Sequence, residues 1–489
     1  MRKELVSHLL KLILLALGAV IIARSGIYPA ASTADDAWFA EAGFHLSKGF
    51  GLRRPWLNDE FNGANIDFFP PITSVLQGIV FLILGVSQFS VGVLSSLSIV
   101  ISSLLTYKYL RQNNVNENKA LISCISLWGL QIVLEQSVRI RPELWTYIYI
   151  LGSLMLFKGA ITEKNNFKFY VSGVIIGISC INYYPTAPLV LLASIIQFYI
   201  YRKKLNIYRN FFYYVLGGMT ILLAFLFWIG HDYKYFFLQE LSTGSYYLTL
   251  STLIAPIKNI FITPEHGVWQ GPVRYSIMCI EALFVLFYTI YIKLVSKSQD
   301  VDSIATFVVI PWLVYPMMGS PVLLVVSGSF FIVLLSINDA PFNKRIIFIL
   351  ALCAILKVFY IGYVAYKERA SRSYENFLGQ INFINKEDAY IAGDRLIWLA
   401  FRPNNKNEIF WLVNSKYKED FIWRSTYLRG MTLDKDMYII VDKERNLDEM
   451  AADYKILEKK RSENKIQFIK EVNCCSGPYN VRVYKVLRD

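Results

Sequence analysis

Long apolar runs separated by short polar stretches fill the chain as far as about residue 366, where the pattern changes. A helix that crosses the hydrocarbon core needs about 20 apolar residues, with about 17 as a lower bound. Eleven runs meet or approach that length: 9–27, 89–110, 119–137, 142–160, 169–184, 186–201, 211–230, 273–294, 303–319, 321–337 and 346–366. Another apolar stretch, 72–87, follows Pro70-Pro71. Three segments stand outside the runs: 28–71, the Tyr- and Phe-rich 231–272, and the tail 367–489. Within the tail, 388–394, 408–414, 437–442 and 480–486 alternate at the strand period, with helix-like stretches near 417–429 and 446–455. Strand–helix alternation predicts a small α/β domain. The expected fold is an all-α polytopic membrane domain over 1–366 followed by a small α/β domain over 367–489.

Composition agrees with a membrane protein. Hydrophobic residues make up 55% and charged residues 18%, against roughly a quarter charged in soluble domains. Disordered, collagenous and conventional cytosolic classes are excluded. The net charge of +13 would suggest nucleic acid in a soluble chain. Here the basic residues fall in alternate short loops, at Lys108, Arg111 and Lys119, at Lys158, Lys164 and Lys168, at Arg202 to Arg209, at Lys293 and Lys297, and at Lys344 and Arg345. That is the positive-inside pattern, and no nucleic-acid partner is expected. It predicts a multi-pass protein of the inner (plasma) membrane with a cytoplasmic N-terminus. The first run reads as an uncleaved signal-anchor. Eleven crossings place 28–71, 231–272 and the tail outside, and leave 72–87 in the outer interface or re-entrant. Cys124, Cys180, Cys279 and Cys353 lie in apolar runs as packing residues, and the adjacent Cys474 and Cys475 offer no metal-ligand spacing.

Candidate chemistry gathers in the outer segments. Ser32-Thr33-Ala34-Asp35-Asp36 reads as a helix start, with hydroxyl caps and acids in the first turn. Trp38, Ala42 and Leu46 continue at helical spacing and Gly49 is a terminator. The expectation is a short amphipathic helix on the membrane surface. Asp35 and Asp36 there are either site carboxylates or complements to the helix dipole. Arg53, Arg54, Asp59, Glu60 and Asp67 follow, anchored by Phe68-Phe69-Pro70-Pro71. Arg139-Ile140-Arg141-Pro142-Glu143 sits between two runs, where charge is costly and often functional. Arg141 there either holds an anionic phosphate or forms a structural pair with Glu143. Asn182-Tyr183-Tyr184-Pro185-Thr186 is a further site element or an interfacial aromatic belt. His231 and His266 lack ligand spacing, and neither a metal site nor a cofactor is expected. The chain has no GxGxxG, Walker A, GxSxG or HExxH motif, so nucleotide-driven transport and zinc hydrolysis lack support.

Taken in order, these elements resemble the GT-C membrane glycosyltransferases of the protein O-mannosyltransferase and lipid A aminoarabinose transferase type. The resemblance rests on Asp35-Asp36-Ala37-Trp38-Phe39-Ala40-Glu41, Phe69-Pro70-Pro71-Ile72, Arg139-Ile140-Arg141-Pro142-Glu143, Asn182-Tyr183-Tyr184-Pro185 and Phe237-Leu238-Gln239-Glu240-Leu241. Phe69 stands where the family has a basic residue, and Leu241 where His is common. The resemblance implies an enzyme that takes a sugar from a polyprenyl phosphate and passes it, with inversion, to a glycan, lipid or protein acceptor at the outer face. It implies Asp35 as general base, Asp36 and Glu143 as orienting acids, and Arg139 and Arg141 on the donor phosphate. Glu41, Arg53, Arg54 and Tyr184 would contact substrate. A polysaccharide polymerase or ligase, or a flippase of envelope glycan assembly, remains the alternative.

Overall fold

A computed structural model describes residues 2–27, 34–49, 51–52, 71–136, 142–183, 186–230, 272–296, 298–318, 323–369, 374–384, 389–393, 409–411, 435–442, 455–473 and 481–488. The membrane part is helical: α1 (Arg2–Ile27), α2 (Ala34–Ser47), α3 (Pro71–Leu84), α4 (Gln88–Gln112), α5 (Glu117–Leu127), α6 (Gln131–Gln136), α7 (Glu143–Glu163), α8 (Asn166–Asn182), α9 (Ala187–Ile200), α10 (Ile207–Ile229), α11 (Pro272–Val295), α12 (Gln299–Met318), α13 (Leu323–Ile337) and α14 (Pro341–Glu368). Among the described residues, five helices are long and apolar enough to cross a membrane: α1, α4, α7, α10 and α14. Among the described residues, each apolar run read from the sequence overlaps a helix. The third run is an exception in form, because 119–137 breaks at Trp128-Gly129-Leu130 into α5 and α6.

The two ends of the bundle differ in chemistry. At one end, lysines meet acids across helices: Lys11 and Glu117 at 2.7 Å, Lys119 and Asp339 at 2.7 Å, Lys158 and Asp300 at 2.8 Å, and Lys293 with Asp302. This is the end carrying the basic loops. Burial works against the charge of Asp300, yet hydrogen bonds from Lys158 and Tyr201 prevail and hold its carboxyl below the ordinary range. Asp339 is held down by its hydrogen bond from Lys119. Between the ends, helices pack through aromatic rings and small residues. Phe157, Phe198 and Tyr214 pack edge to face, with Phe198 5.1 and 5.3 Å from the other two centroids. Gly173 and Gly217 let α8 and α10 touch backbone to backbone; an added Cβ would lie 1.9 Å from the Tyr214 carbonyl oxygen or 2.0 Å from that of Tyr170.

Helix α3 does not cross. Its 14 residues span about 21 Å at 1.5 Å per residue, short of a hydrocarbon core of about 30 Å. Its first turn reaches Asn182, at the end of α8, and its last residue lies just before Ser87, the cap of α4. Both ends therefore sit at the same end of the bundle, the one opposite the lysine–acid pairs. Leu82 and Ile83, towards its C-terminus, are exposed apolar residues suited to lipid.

The tail begins with α15 (Tyr374–Ile381), followed by β1 (Tyr390–Gly393), β2 (Ile409–Trp411), β3 (Met437–Asp442), α16 (Lys455–Ser462), β4 (Ile466–Val472) and β5 (Val481–Val486). The sheet order is β2-β1-β3-β5-β4. β2, β1 and β3 pair parallel, and β3, β5 and β4 pair antiparallel. Phe377 and Ile381 of α15 pack on Ile391, Tyr438, Ile440 and Val483 of the sheet. Four strands fall on the alternating runs. β4 was not anticipated; the helix near 417–429 and all of 446–455 except Lys455 lie outside the described residues, and a helix is described over Lys455–Ser462.

Candidate active site

Helix α2 is described from Ala34, the expected caps Ser32 and Thr33 lying outside the described residues, and it ends before Gly49, whose φ of +82° suits glycine. Over its described side chains it is not an amphipathic helix lying on a surface. Ala40, Glu41, Ala42, Gly43 and Phe44 are all buried, so no polar face remains over that stretch. One of its faces is covered by α3. An added Cβ on Gly43 would meet Gln77 Cβ and the Gly78 nitrogen at 2.9 Å, and one on Gly78 would meet Leu46 Cδ2 at 2.9 Å. Two glycines thus bring the helix backbones into contact. Glu41 is fully buried, and its Oε1 lies 3.0 Å from His45 Nε2 one turn on. Asp35 and Asp36 stand in the first turn of α2; their side chains lie outside the described residues.

From α3 the contacts reach the other two motifs. Thr73 Oγ1 donates to Asn182 Oδ1 at 2.8 Å, and Asn182 Nδ2 donates to the Pro142 carbonyl at 3.1 Å. That carbonyl also accepts from the Thr146 amide at 2.9 Å and its hydroxyl at 3.2 Å. Thr73 and Asn182 are fully buried, and Glu143, next to Pro142, is 1% exposed. Gln77 Nε2 donates to the Ser90 carbonyl at 2.9 Å and ties α3 to α4. Leu76 and Val80 pack on Leu94, Trp145 and Ile148. The segment after Pro70-Pro71, the Pro142-Glu143 element and the Asn182-Tyr183 turn therefore share one buried junction.

Several candidates fall outside the described residues: Arg53, Arg54, Arg139, Arg141 and Tyr184, with the whole of 231–271. Of the candidates whose side chains are described, Glu41 and Glu143 are both buried carboxylates at this end of the bundle. Among the described residues no group of three or more His, Cys, Asp or Glu is placed to hold a metal. The sequence reading passed over Thr73, Gln77 and His45, which look like ordinary interface residues until α3 is known to lie across the bundle end. It also passed over Glu281 and Lys357, although a charge within an apolar run is itself a signal.

The comparisons bear on this geometry. Residues 69–230 match the family model described as dolichyl-phosphate-mannose-protein mannosyltransferase, a stretch that contains the whole junction from Thr73 to Asn182. ArnT from Cupriavidus metallidurans in the apo state aligns at TM-score 0.58 and 8% identity, over 97% of each chain. The chain has the GT-C fold. That fold accounts for the helical membrane part and the small C-terminal sheet as one architecture. ArnT from the same organism bound to undecaprenyl phosphate aligns at TM-score 0.48 with 8% identity over 98% of each chain. The oligosaccharyltransferase of Archaeoglobus fulgidus in the apo form aligns at 0.49 with 10% identity, over 92% of this chain and 72% of that one. A comparison with curated proteins gives no match.

Proposed function

We propose that the protein is a membrane glycosyltransferase that moves a hexosyl or pentosyl unit from a polyprenyl phosphate to an envelope glycan, lipid or protein acceptor. The observation that carries the reading is the junction: three motifs far apart in sequence meet at the end of the bundle away from the lysine-rich loops, within the stretch matched by a dolichyl-phosphate-dependent family. Lipid tail in the bilayer, phosphate at the interface and acceptor in water meet at such a place.

In this reading the acceptor hydroxyl attacks the anomeric carbon from the face opposite the phosphate, and the configuration inverts. The new C–O bond forms as the bond to phosphate breaks, and polyprenyl phosphate leaves with the electron pair. Asp35 takes the hydroxyl proton as general base. Arg139 and Arg141 stabilise the charge that grows on the phosphate. Asp36 and Glu143 orient the base and the acceptor, and Glu41, Arg53, Arg54 and Tyr184 contribute to substrate binding. The donor end faces outward from the plasma membrane, the N-terminus is cytoplasmic, and 367–489 forms an extracytoplasmic domain beside the catalytic domain 1–366.

The test is Asp35→Asn, assayed for sugar transfer from a polyprenyl-phosphate sugar and for thermal stability on the same preparation. Loss of a general base lowers the rate about 10²–10⁴-fold, whereas loss of a helix-terminal acid costs about 1 kcal/mol of stability at most. A variant that turns over at nearly the parent rate would remove Asp35 from the chemistry.

A further inference from the structure

The break in the third apolar run has its own support. α5 ends at Leu127 and α6 begins at Gln131; the Trp128 and Gly129 amides bond back to α5 and the Leu130 carbonyl accepts from Val133 and Leu134, which leaves the first amides of α6 and the Gly129 carbonyl to side chains. Two charged side chains take up those groups. Glu281, inside the run 273–294, accepts at Oε2 from the Gln131 amide at 2.8 Å and from the Ile132 amide at 3.4 Å. Lys357, inside the run 346–366, donates to the Gly129 carbonyl at 2.7 Å. The two charges also pair with each other at 3.5 Å. Gly129 is backed by α14, where an added Cβ would stand 2.1 Å from the Leu350 carbonyl oxygen. Gly328 of α13 closes the other side, with an added Cβ 3.3 Å from Leu130 Cδ1 and Ile132 Cγ2.

A continuous helix over 119–137 would satisfy the same backbone without any charge. A Lys and a Glu inside apolar spans are costly, so the break is worth more to the molecule than its simplest replacement. What the break does is make α6 a separate helix. That helix ends at Gln136, directly before the segment that carries Arg139 and Arg141.

We propose that Glu281 and Lys357 are positioning residues, an ion-pair clamp that fixes the break and holds α6, and that donor binding depends on this hold because Arg139 and Arg141 follow α6 in the chain. The inference rests on the polyprenyl-phosphate reading above. It requires the pair to act on donor binding through α6 without touching the donor.

The test uses the full chain in detergent with two measurements on each variant: hydrogen exchange across 128–136, and titration with a sugar-free polyprenyl phosphate. Hydrogen bonds to charged groups correspond to roughly tenfold or larger changes in equilibrium. Lys357→Met and Glu281→Ala should each raise exchange across 128–136 about tenfold or more, with 166–182 unchanged, and weaken polyprenyl phosphate binding about tenfold. Glu281→Gln keeps an oxygen for the two amides, and should fall between parent and Glu281→Ala in both measurements. Should Glu281→Ala fail to fold, Glu281→Gln and Lys357→Met decide the matter. Faster exchange with unchanged binding would reduce the pair to a structural prop and overturn the proposal, as would unchanged exchange. If the parent chain binds no polyprenyl phosphate, the functional reading is what has failed, and the exchange measurement alone then judges whether the pair holds α6.

Discussion

Replacing Asn182 tests the buried junction most directly. Asn182→Leu removes the bond from Thr73 Oγ1 and the bond to the Pro142 carbonyl together. The Pro142 carbonyl keeps its bonds from the Thr146 amide and hydroxyl, so it stays satisfied. The Thr73 hydroxyl does not; it is fully buried and loses its side-chain partner. A buried donor left in that state costs about 1–3 kcal/mol, and a lost neutral hydrogen bond about 1 kcal/mol. The single variant should therefore be destabilised by about 2–4 kcal/mol. Thr73→Val alone removes one bond and should cost about 1–2 kcal/mol. The double variant leaves no orphaned hydroxyl at position 73, and should cost clearly less than the sum of the two. The coupling should approach the roughly 0.6 kcal/mol average of side-chain hydrogen bonds between membrane helices, or exceed it towards about 1.7 kcal/mol. Reversible unfolding of all four proteins in mixed micelles measures the cycle. Strict additivity would mean that Thr73 and Asn182 do not communicate, and the claim that three motifs share one junction would fall with it.

Three further outcomes are expected. Gly43→Val should force α2 and α3 apart, since even a Cβ meets Gln77 and Gly78 at 2.9 Å; overpacking of this kind costs about 1–3 kcal/mol, read as a lowered midpoint of thermal unfolding, and a midpoint equal to the parent's would contradict the contact. Asp300 is held below the ordinary carboxylate range in the folded chain despite its burial, so its contribution is complete above the unfolded value of about 3.9 and disappears as pH falls through the lower folded value. Thermal scans from neutral pH down to about 3 should show a loss of stability at the acid end that is smaller in Asp300→Asn. Under the proposed function, Arg141→Ala removes a charge-assisted contact worth about 1.5–3 kcal/mol, and should raise the donor KM roughly tenfold or more while the acceptor KM stays put. Equal changes in both would return Arg141 to a structural pairing with Glu143.

The helices were legible because lipid leaves so little choice: every segment that faces it must be long, apolar and internally hydrogen-bonded. The sidedness of the lysines was legible for the same reason. What failed to show was anything decided by a partner helix. α2 reads as amphipathic, yet α3 covers it through Gly43 and Gly78, two residues that look unremarkable in their own segments. The run 119–137 reads as one span because Trp128, Gly129 and Leu130 fit an apolar pattern, and the charges that make the break affordable lie far along the chain at Glu281 and Lys357. β4 escaped because Ile466–Val472 carries a register shift between Phe468 and Lys470, which disturbs the alternation that marked the other strands. At the site, the motifs Pro142-Glu143 and Asn182-Tyr183 stood out in the sequence, but Thr73, which links to them, is an ordinary threonine until its neighbour is known.

The ion pair at the helix break also joins segments that are synthesised at different times. At roughly 5–20 residues per second of synthesis, Lys357 reaches the membrane several seconds after Glu281, while Gln131 and Ile132 arrive well before both. The acid is therefore available to its two amides before the amine has been made. The amine comes last, carried by α14, and closes the Gly129 carbonyl and the acid in a single step. A chain stopped short of α14 would keep Glu281 on its two amides with no amine beside it, so the charge of the pair is balanced only once the last membrane helix is in place.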